Sequence, residues 1–348
     1  MKHILVTGGA GFIGSHTSLV LLKNGYFISV IDSFINSSKK SLDDVLKILG
    51  KDPLIHEKIK IYEGDIRDKE LLNKIFKDSK EKNLKISSVI HFAGLKSVSE
   101  SMQNPIKYWE NNVSGTLKLI EIMEENNCRT IIFSSSATIY GLSNNKKFKE
   151  TDHISPVNPY GTTKFVIEKL LENVYLSNLE DWKIANLRYF NPIGAHKSGL
   201  LGERPTGRPN NIFPIINQVA GGILKELKIY GTDWPTYDGT GVRDYIHVMD
   251  VADGHLAALE FLMKSKSTII NINLGTGKGT SVLDLIKTYE KVNKIKIPLN
   301  FVDRRKGDVA FLVADNSLAK SLLNWQPRMN LAEMCLDGWR WQLNNLNG

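Results

Sequence analysis

The chain has 348 residues, 42% hydrophobic and 24% charged, with 27 Gly and 11 Pro; this excludes a disordered or collagen-like chain and predicts two closely packed domains. The net charge is +8, but the lysines are interleaved with acids, as in Lys77-Asp78-Ser79-Lys80-Glu81-Lys82. That excludes the basic stripe of a nucleic-acid binder and leaves a general attraction for anionic substrates.

The first 190 residues alternate short β-branched runs with longer amphipathic ones. Strands are predicted at Lys2 to Val6, Ile28 to Ile31, Ile59 to Tyr62, Ser88 to Phe92, Thr130 to Ser134 and Ile184 to Tyr189. Helical patterns fall between them at Phe12 to Asn24, Lys69 to Phe76 and Val113 to Asn126. Such alternation implies βαβ units and a parallel sheet covered on both faces. Six strands complete a doubly wound dinucleotide-binding sheet of Rossmann type. From Asn191 onward Gly, Pro and Asn become dense, among them Pro192, Gly194, Pro205, Pro209 and Asn210, which predicts long loops in a smaller mixed α/β domain. The expected division is 1–190 and 191–348, with the segment around 243–262 packing back on the first part. No run reaches the roughly 18 apolar residues of a membrane helix. Met1-Lys2-His3 leads into Ile4-Leu5-Val6 without an apolar signal core, so the chain reads as non-secreted. Cys128 and Cys335 form no CxxC, which offers neither a disulfide framework nor a cysteine zinc site and fits a reducing cytoplasm.

Thr7-Gly8-Gly9-Ala10-Gly11-Phe12-Ile13-Gly14 follows the first strand and opens the first helix. Gly8, Gly11 and Gly14 suit a tight turn that brings backbone close to a pyrophosphate at a helix N-terminus. Asp32 ends the second strand, where a carboxylate can accept hydrogen bonds from the adenosine ribose and repel a 2′-phosphate, favouring NAD over NADP. Asp65 ends the third strand and either meets the adenine or is a turn residue before a helix capped by Asp68.

Tyr160 and Lys164 stand at i and i+4 after Pro159, on one face of a helix that starts there. A nearby ammonium and a positive nicotinamide ring are expected to lower the Tyr160 pKa and make it a base. Ser134 to Thr138 end the fifth strand, at the crevice of an open α/β sheet, and Ser136 is placed to bond the same substrate oxygen. Taken alone, Tyr160 and Lys164 also fit a plain helix surface, and the serines a plain strand end. The eight histidines show no metal-ligand spacing, so no metal is assigned.

The phosphate loop, the serine run and the Tyr160–Lys164 pair resemble the extended short-chain dehydrogenase/reductase family. His91 to Lys96, Ser134 to Gly141, Leu187 to Ala195 and Asp238 to Val248 narrow the resemblance to its UDP-glucose 4-epimerase group, from Lys2 to Trp341. The resemblance implies an NAD-dependent isomerase acting on UDP-glucose and UDP-galactose, and a homodimer formed through helices of the first domain. It makes Tyr160 the base, Lys164 its tuner and Ser136 an assistant. NAD contacts are implied for Phe12, Ile13, Asp32, Ser33, Phe34, Ile35, Asn36, Ser37, Asp65, Ile66, Phe92, Ala93, Gly94, Leu95, Lys96, Asn111 and Phe190. Substrate contacts are implied for Lys96, Asn191, Asn211, Arg243, Arg305 and Asp308, with Leu312 as the gate beside the sugar. Ser33 stands where the family usually has Asn, and its hydroxyl can still bond near the cofactor. A 4,6-dehydratase would need an acid near carbons 5 and 6, which Ser136-Ala137-Thr138 lacks. A uronate epimerase or decarboxylase shares the core, and an NAD-sensing regulator would have no need of Tyr160 and Lys164 together.

Overall fold

The computed structural model describes residues 2–50, 52–141, 147–204, 207, 209, 211–305 and 308–346. At its centre lie β1 (His3–Thr7), β2 (Phe27–Asp32), β3 (Ile59–Glu63), β4 (Ile86–His91), β5 (Thr130–Ser136) and β6 (Lys183–Tyr189). The expected count of six strands is short by one. A seventh, Thr268–Leu274, pairs with β6 in register from Thr268–Lys183 to Leu274–Tyr189. It returns to the sheet from far along the chain, and its two asparagines give it the polar texture of the surrounding loops. The strand order is Thr268–Leu274, β6, β5, β4, β1, β2, β3, every pair parallel.

Burial explains the strand sequences. All five residues of β1 are buried, as expected of a central parallel strand covered on both faces. The edge strand β3 is more exposed and carries Lys60 and Glu63. The order reverses at β1, which has β2 on one side and β4 on the other, so a crevice opens at the C-terminal ends of β1 and β4. The helix α1 (Phe12–Lys23) starts at that crevice and packs against the helix Val248–Lys264.

Local chemistry sets the helix starts. Asp68 accepts the Leu71 N–H at 3.0 Å and caps Lys69–Glu81. Asn158 accepts the Gly161 N–H at 2.8 Å, with Pro159 in the first turn of Pro159–Ser177. The helix expected over Val113 to Asn126 begins earlier, as a π-helical turn over Trp109–Ser114 that continues as Gly115–Glu125.

Apolar clusters cover both faces of the sheet. A separate cluster around Ile216, Tyr289 and Met334 forms the core of a smaller lobe. Its short strands pair Asn191–Ile193 with Tyr245–His247, Leu227–Tyr230 with Leu299–Val302, and Val242–Arg243 with both Thr280–Ser281 and Phe311–Leu312. Pro205 and Asn210 of the expected loop texture lie outside the described residues. Among the described residues, no helix is long and apolar enough to cross a membrane.

Candidate active site

Gly8 has φ +68°, and a Cβ there would lie 2.6 Å from the Ala93 nitrogen; one on Gly14 would lie 2.3 Å from the Gly8 carbonyl oxygen. Both positions therefore demand glycine. A Cβ on Gly11 would lie 3.3 Å from the Gly8 oxygen with no other chain atom within 4 Å outside its own neighbours and helix backbone, so the missing side chain mainly keeps the crevice side open. Gly11 caps α1 without a side-chain hydrogen bond, and the first N–H groups of the helix are left to whatever occupies the crevice.

Asp32 is buried and already engaged. Its Oδ1 accepts the Phe34 N–H at 3.0 Å and the Ser37 hydroxyl at 2.7 Å, while Oδ2 accepts the Ala10 N–H at 2.9 Å. A carboxylate has about four acceptor sites, so one on Oδ2 remains for a ribose hydroxyl. Asp65 is chelated by Arg67, with Nε at 3.0 Å and Nη2 at 2.7 Å, and this holds its carboxyl below the usual range. It nonetheless lines the crevice, and Asp68 is the helix cap.

Tyr160 and Lys164 are brought against the end of β5. The Lys164 Nζ donates to the Ser134 carbonyl at 2.7 Å and lies 4.8 Å from the Phe133 ring centroid. Burial pulls its pKa down to about 7, with Glu168 acting the other way. The expected lowering of Tyr160 is not found in the chain alone. Burial pushes its phenol up, opposed by a hydrogen bond with Ser136, because the phenolate would have to form in a desolvated place.

The crevice wall contains Gly8, Gly11, Phe12, Ile13, Gly14, Asp32, Ser33, Ile35, Asn36, Asp65 and Ile66 on the α1 side. It continues through Phe92, Ala93, Gly94, Leu95, Lys96, Asn111, Ser136, Tyr160, Lys164, Phe190, Asn191 and Asn211. Phe34 packs against the sheet core, and Ser37 faces an adjoining cleft. Lys96 forms an ion pair with Glu203 at 2.7 Å. The Asn191 Oδ1 is buried without a partner.

Arg243, Arg305, Asp308 and Leu312 do not join this wall. Arg243 folds back, its Nη1 donating to the Val242 carbonyl at 3.0 Å. The Arg305 guanidinium lies 4.2 Å from the Tyr230 ring centroid, and the Asp308 N–H donates to the Arg305 carbonyl at 3.3 Å. Leu312 pairs with Arg243 across the short parallel strands.

Sequence reasoning missed two supporting side chains. Thr138 donates its hydroxyl to Ser136 Oγ at 3.0 Å, which leaves the Ser136 proton free to point elsewhere; the Ser136-Ala137-Thr138 spacing was a visible signal for it. Asn112, in the π turn, bonds both backbone groups of Leu95, at 2.8 and 3.1 Å, and Thr163 Oγ1 at 3.1 Å. It ties the Phe92 to Lys96 loop to the helix of Tyr160, and no local pattern announces such a bridge.

A glycine-cradled helix N-terminus, a strand-end aspartate and a buried Tyr–Lys–Ser cluster on a doubly wound sheet define a dinucleotide-dependent enzyme of the extended short-chain dehydrogenase/reductase class. The family model described as GDP-mannose 4,6 dehydratase matches residues 5–337. The UDP-glucose 4-epimerase of Bacillus subtilis (strain 168) is 48% identical over 345 residues, covering 99% of this chain and 98% of that protein. The enzyme of the same name from Pasteurella multocida is 50% identical over 346 residues, covering 99% and 98%. Among solved structures, UDP-glucose 4-epimerase from Bifidobacterium longum in complex with NAD+ and UDP superposes with TM-score 0.93 at 45% identity, covering 100% of both chains. That from Stenotrophomonas maltophila, with bound NAD and formylated UDP-arabinopyranose, gives TM-score 0.94 at 42% identity, covering 100% and 99%. The chain belongs to the UDP-glucose 4-epimerase family.

Proposed function

We propose that the chain interconverts UDP-glucose and UDP-galactose by inverting carbon 4 of the sugar through a transient 4-keto sugar, with NAD held in the crevice. Bound NAD supplies a hydride acceptor that later returns the hydride, so the reaction is an isomerisation without net redox change. The loop from Gly8 to Gly14 fits a pyrophosphate because side chains at Gly8 and Gly14 would collide with backbone. The remaining acceptor site of Asp32 fits a ribose hydroxyl. Ser33, Ile35, Asn36, Asp65, Ile66, the Phe92 to Lys96 loop, Asn111 and Phe190 are assigned to the same ligand.

Tyr160 takes the proton from the 4-hydroxyl and gives it back after the sugar has turned. Ser136, oriented by Thr138, donates a hydrogen bond to the same oxygen. Lys164 lends positive charge to the phenolate and holds the nicotinamide ribose. Lys96, Asn191 and Asn211, on the crevice wall, are assigned to the nucleotide sugar, and the unpartnered Asn191 Oδ1 suits a hydroxyl; Arg243, Arg305 and Asp308, outside that wall, are assigned to it on the family resemblance, and planar arginine forks suit a diphosphate once turned toward it.

One observation carries the choice of reaction. Among the described residues, the crevice wall holds only two carboxylates, Asp32 and Asp65, both at strand ends on the adenosine side. A 4,6-dehydratase, the activity in the matched family description, would need an acid beside the sugar to expel water. Among the described residues, no acidic side chain of that wall lies at the β5 end that carries Tyr160.

The proposed division assigns 1–190 to NAD and 191–348 to the nucleotide sugar, with Val248–Lys264 and Thr268–Leu274 returned to the first part. A cytoplasmic homodimer is proposed. Exposed apolar residues on first-domain helices support the dimer: Met102, Ile106, Leu117 and Leu176. The test is to incubate purified protein with UDP-galactose and no added NAD. UDP-glucose should form, and its absence would reject the assignment.

A further inference from the structure

Glu168 lies one helical turn beyond Lys164, on the same helix face, and is buried. Its Oε1 accepts the Arg188 Nε–H at 3.0 Å and the Ser135 hydroxyl at 2.5 Å, and its Oε2 accepts an Arg188 Nη2–H at 2.7 Å. Arg188 in turn donates to the Tyr140 hydroxyl at 3.0 Å and the Glu150 carbonyl at 2.9 Å. Ser135 sits between Ser134, whose carbonyl holds Lys164, and Ser136, which bonds Tyr160. The carboxylate is thus bolted to the strand end that carries both partners of the catalytic pair.

The electrostatics point the same way. Lys164 lies in a dry site with one hydrogen bond among the described residues, to a neutral carbonyl, and burial there disfavours its charged form. Facing it are His91 from β4, kept neutral by burial with its pKa at about 3, and the ring of Tyr160, whose phenol burial pushes up; the Tyr189 phenol, also pushed up, lies beyond Tyr160. Arg188 on β6 is positive and engaged with Glu168. Glu168 is the negative charge acting on Lys164.

We propose that Glu168 is a positioning residue for the reaction, fixing the end of β5 through Ser135 and supplying the negative charge that keeps Lys164 an ammonium beside Tyr160. The role rests on the assignment of Tyr160 and Lys164 as the working pair. Arg188 makes the buried carboxylate tolerable by chelating it.

The experiment is the pH profile of kcat with UDP-galactose, between about pH 6 and pH 10, for wild type, Glu168→Gln and the double variant Glu168→Gln/Arg188→Met. The double variant does not strand the Arg188 charge beside a neutral residue 168 and so keeps a folded protein to measure if the single variant does not fold. Removing the anion makes Lys164 lose its proton at lower pH. The alkaline limb should therefore move down by about one pH unit in Glu168→Gln and by a smaller amount in the double variant, which also removes the Arg188 charge, and turnover at the acid end should recover toward the wild-type value. A uniformly lower kcat with the limb unmoved would mean a packing role only and would overturn the proposal, as would a limb moved upward. No turnover by the wild type would overturn the functional assignment together with this role; wild-type turnover with unmoved limbs in the variants overturns this role alone.

Discussion

Asp32 Oδ2 accepts the Ala10 N–H at 2.9 Å, so the end of β2 is stitched to the glycine loop in front of α1. The carboxylate shapes the crevice before any ligand arrives, and its position is set by the loop as much as by the strand.

Specificity for NAD follows. A 2′-phosphate would meet the Asp32 carboxylate directly, with both Oδ1 bonds and one Oδ2 bond already committed to the chain. Cofactor released from the denatured protein should be NAD, identified by chromatography. Recovery of NADP would refute the placement.

Tyr160→Phe should leave NAD retention and folding intact and lower turnover by at least ~10²-fold, the usual contribution of a positioned acid–base group. Steady-state kinetics beside cofactor extraction separates the two effects. Activity within a few-fold of wild type would remove Tyr160 from the mechanism.

Acid should destabilise the fold through its buried histidines. Burial holds His16 and His91 near about 3, and His196 and His255 near about 4. Their folded pKa values are depressed, so the unfolded chain binds more protons once pH falls below about 6.5. Their contribution to stability is complete above that value and is lost on the way down, to about pH 4 for His255 and about pH 3 for His16 and His91, at up to about 1.4 kcal/mol per histidine per pH unit, and by less for His196, which solvent screens in part. The urea midpoint should drop steeply between pH 6.5 and pH 4.5. A flat midpoint would show that these rings protonate without penalty.

Leu312 is half-buried, paired in register with Arg243 and outside the crevice wall; if it is the gate that the resemblance implies, the sugar pocket should prefer UDP-galactose over UDP-N-acetylgalactosamine. An acetamido group pressed against it costs ~1–3 kcal/mol by overpacking, roughly ten- to a hundredfold in kcat/KM. Leu312→Ser should bring the ratio toward one. Near-equal values in the wild type would show an open pocket.

Local physics made much of this fold readable in advance. Central parallel strands must be apolar on both faces, so β1, β2, β4, β5 and β6 stand out as β-branched runs. The glycine loop and Asp32 are bound to those strands by short spacing, and Tyr160 and Lys164 by one helical turn. The missing pieces depend on distant partners. Thr268–Leu274 becomes a strand only beside β6. Asn112 matters because Leu95 and Thr163 converge on it, and a π turn has no local periodicity to betray it. In the chain alone the Tyr160 phenol is pushed up, because burial at the crevice floor, which is not legible in sequence, outweighs the neighbouring charge that is. Arg243 carries a motif, but its guanidinium turns back on its own strand.

In the proposed reaction carbon 4 is inverted by a hydride that leaves and returns inside one crevice. UDP-galactose carrying deuterium at carbon 4, converted by the purified chain in ordinary water without added NAD, tests it most directly. UDP-glucose should form with the deuterium still at carbon 4. Product that has exchanged the label for solvent hydrogen would contradict it, as would a failure to convert.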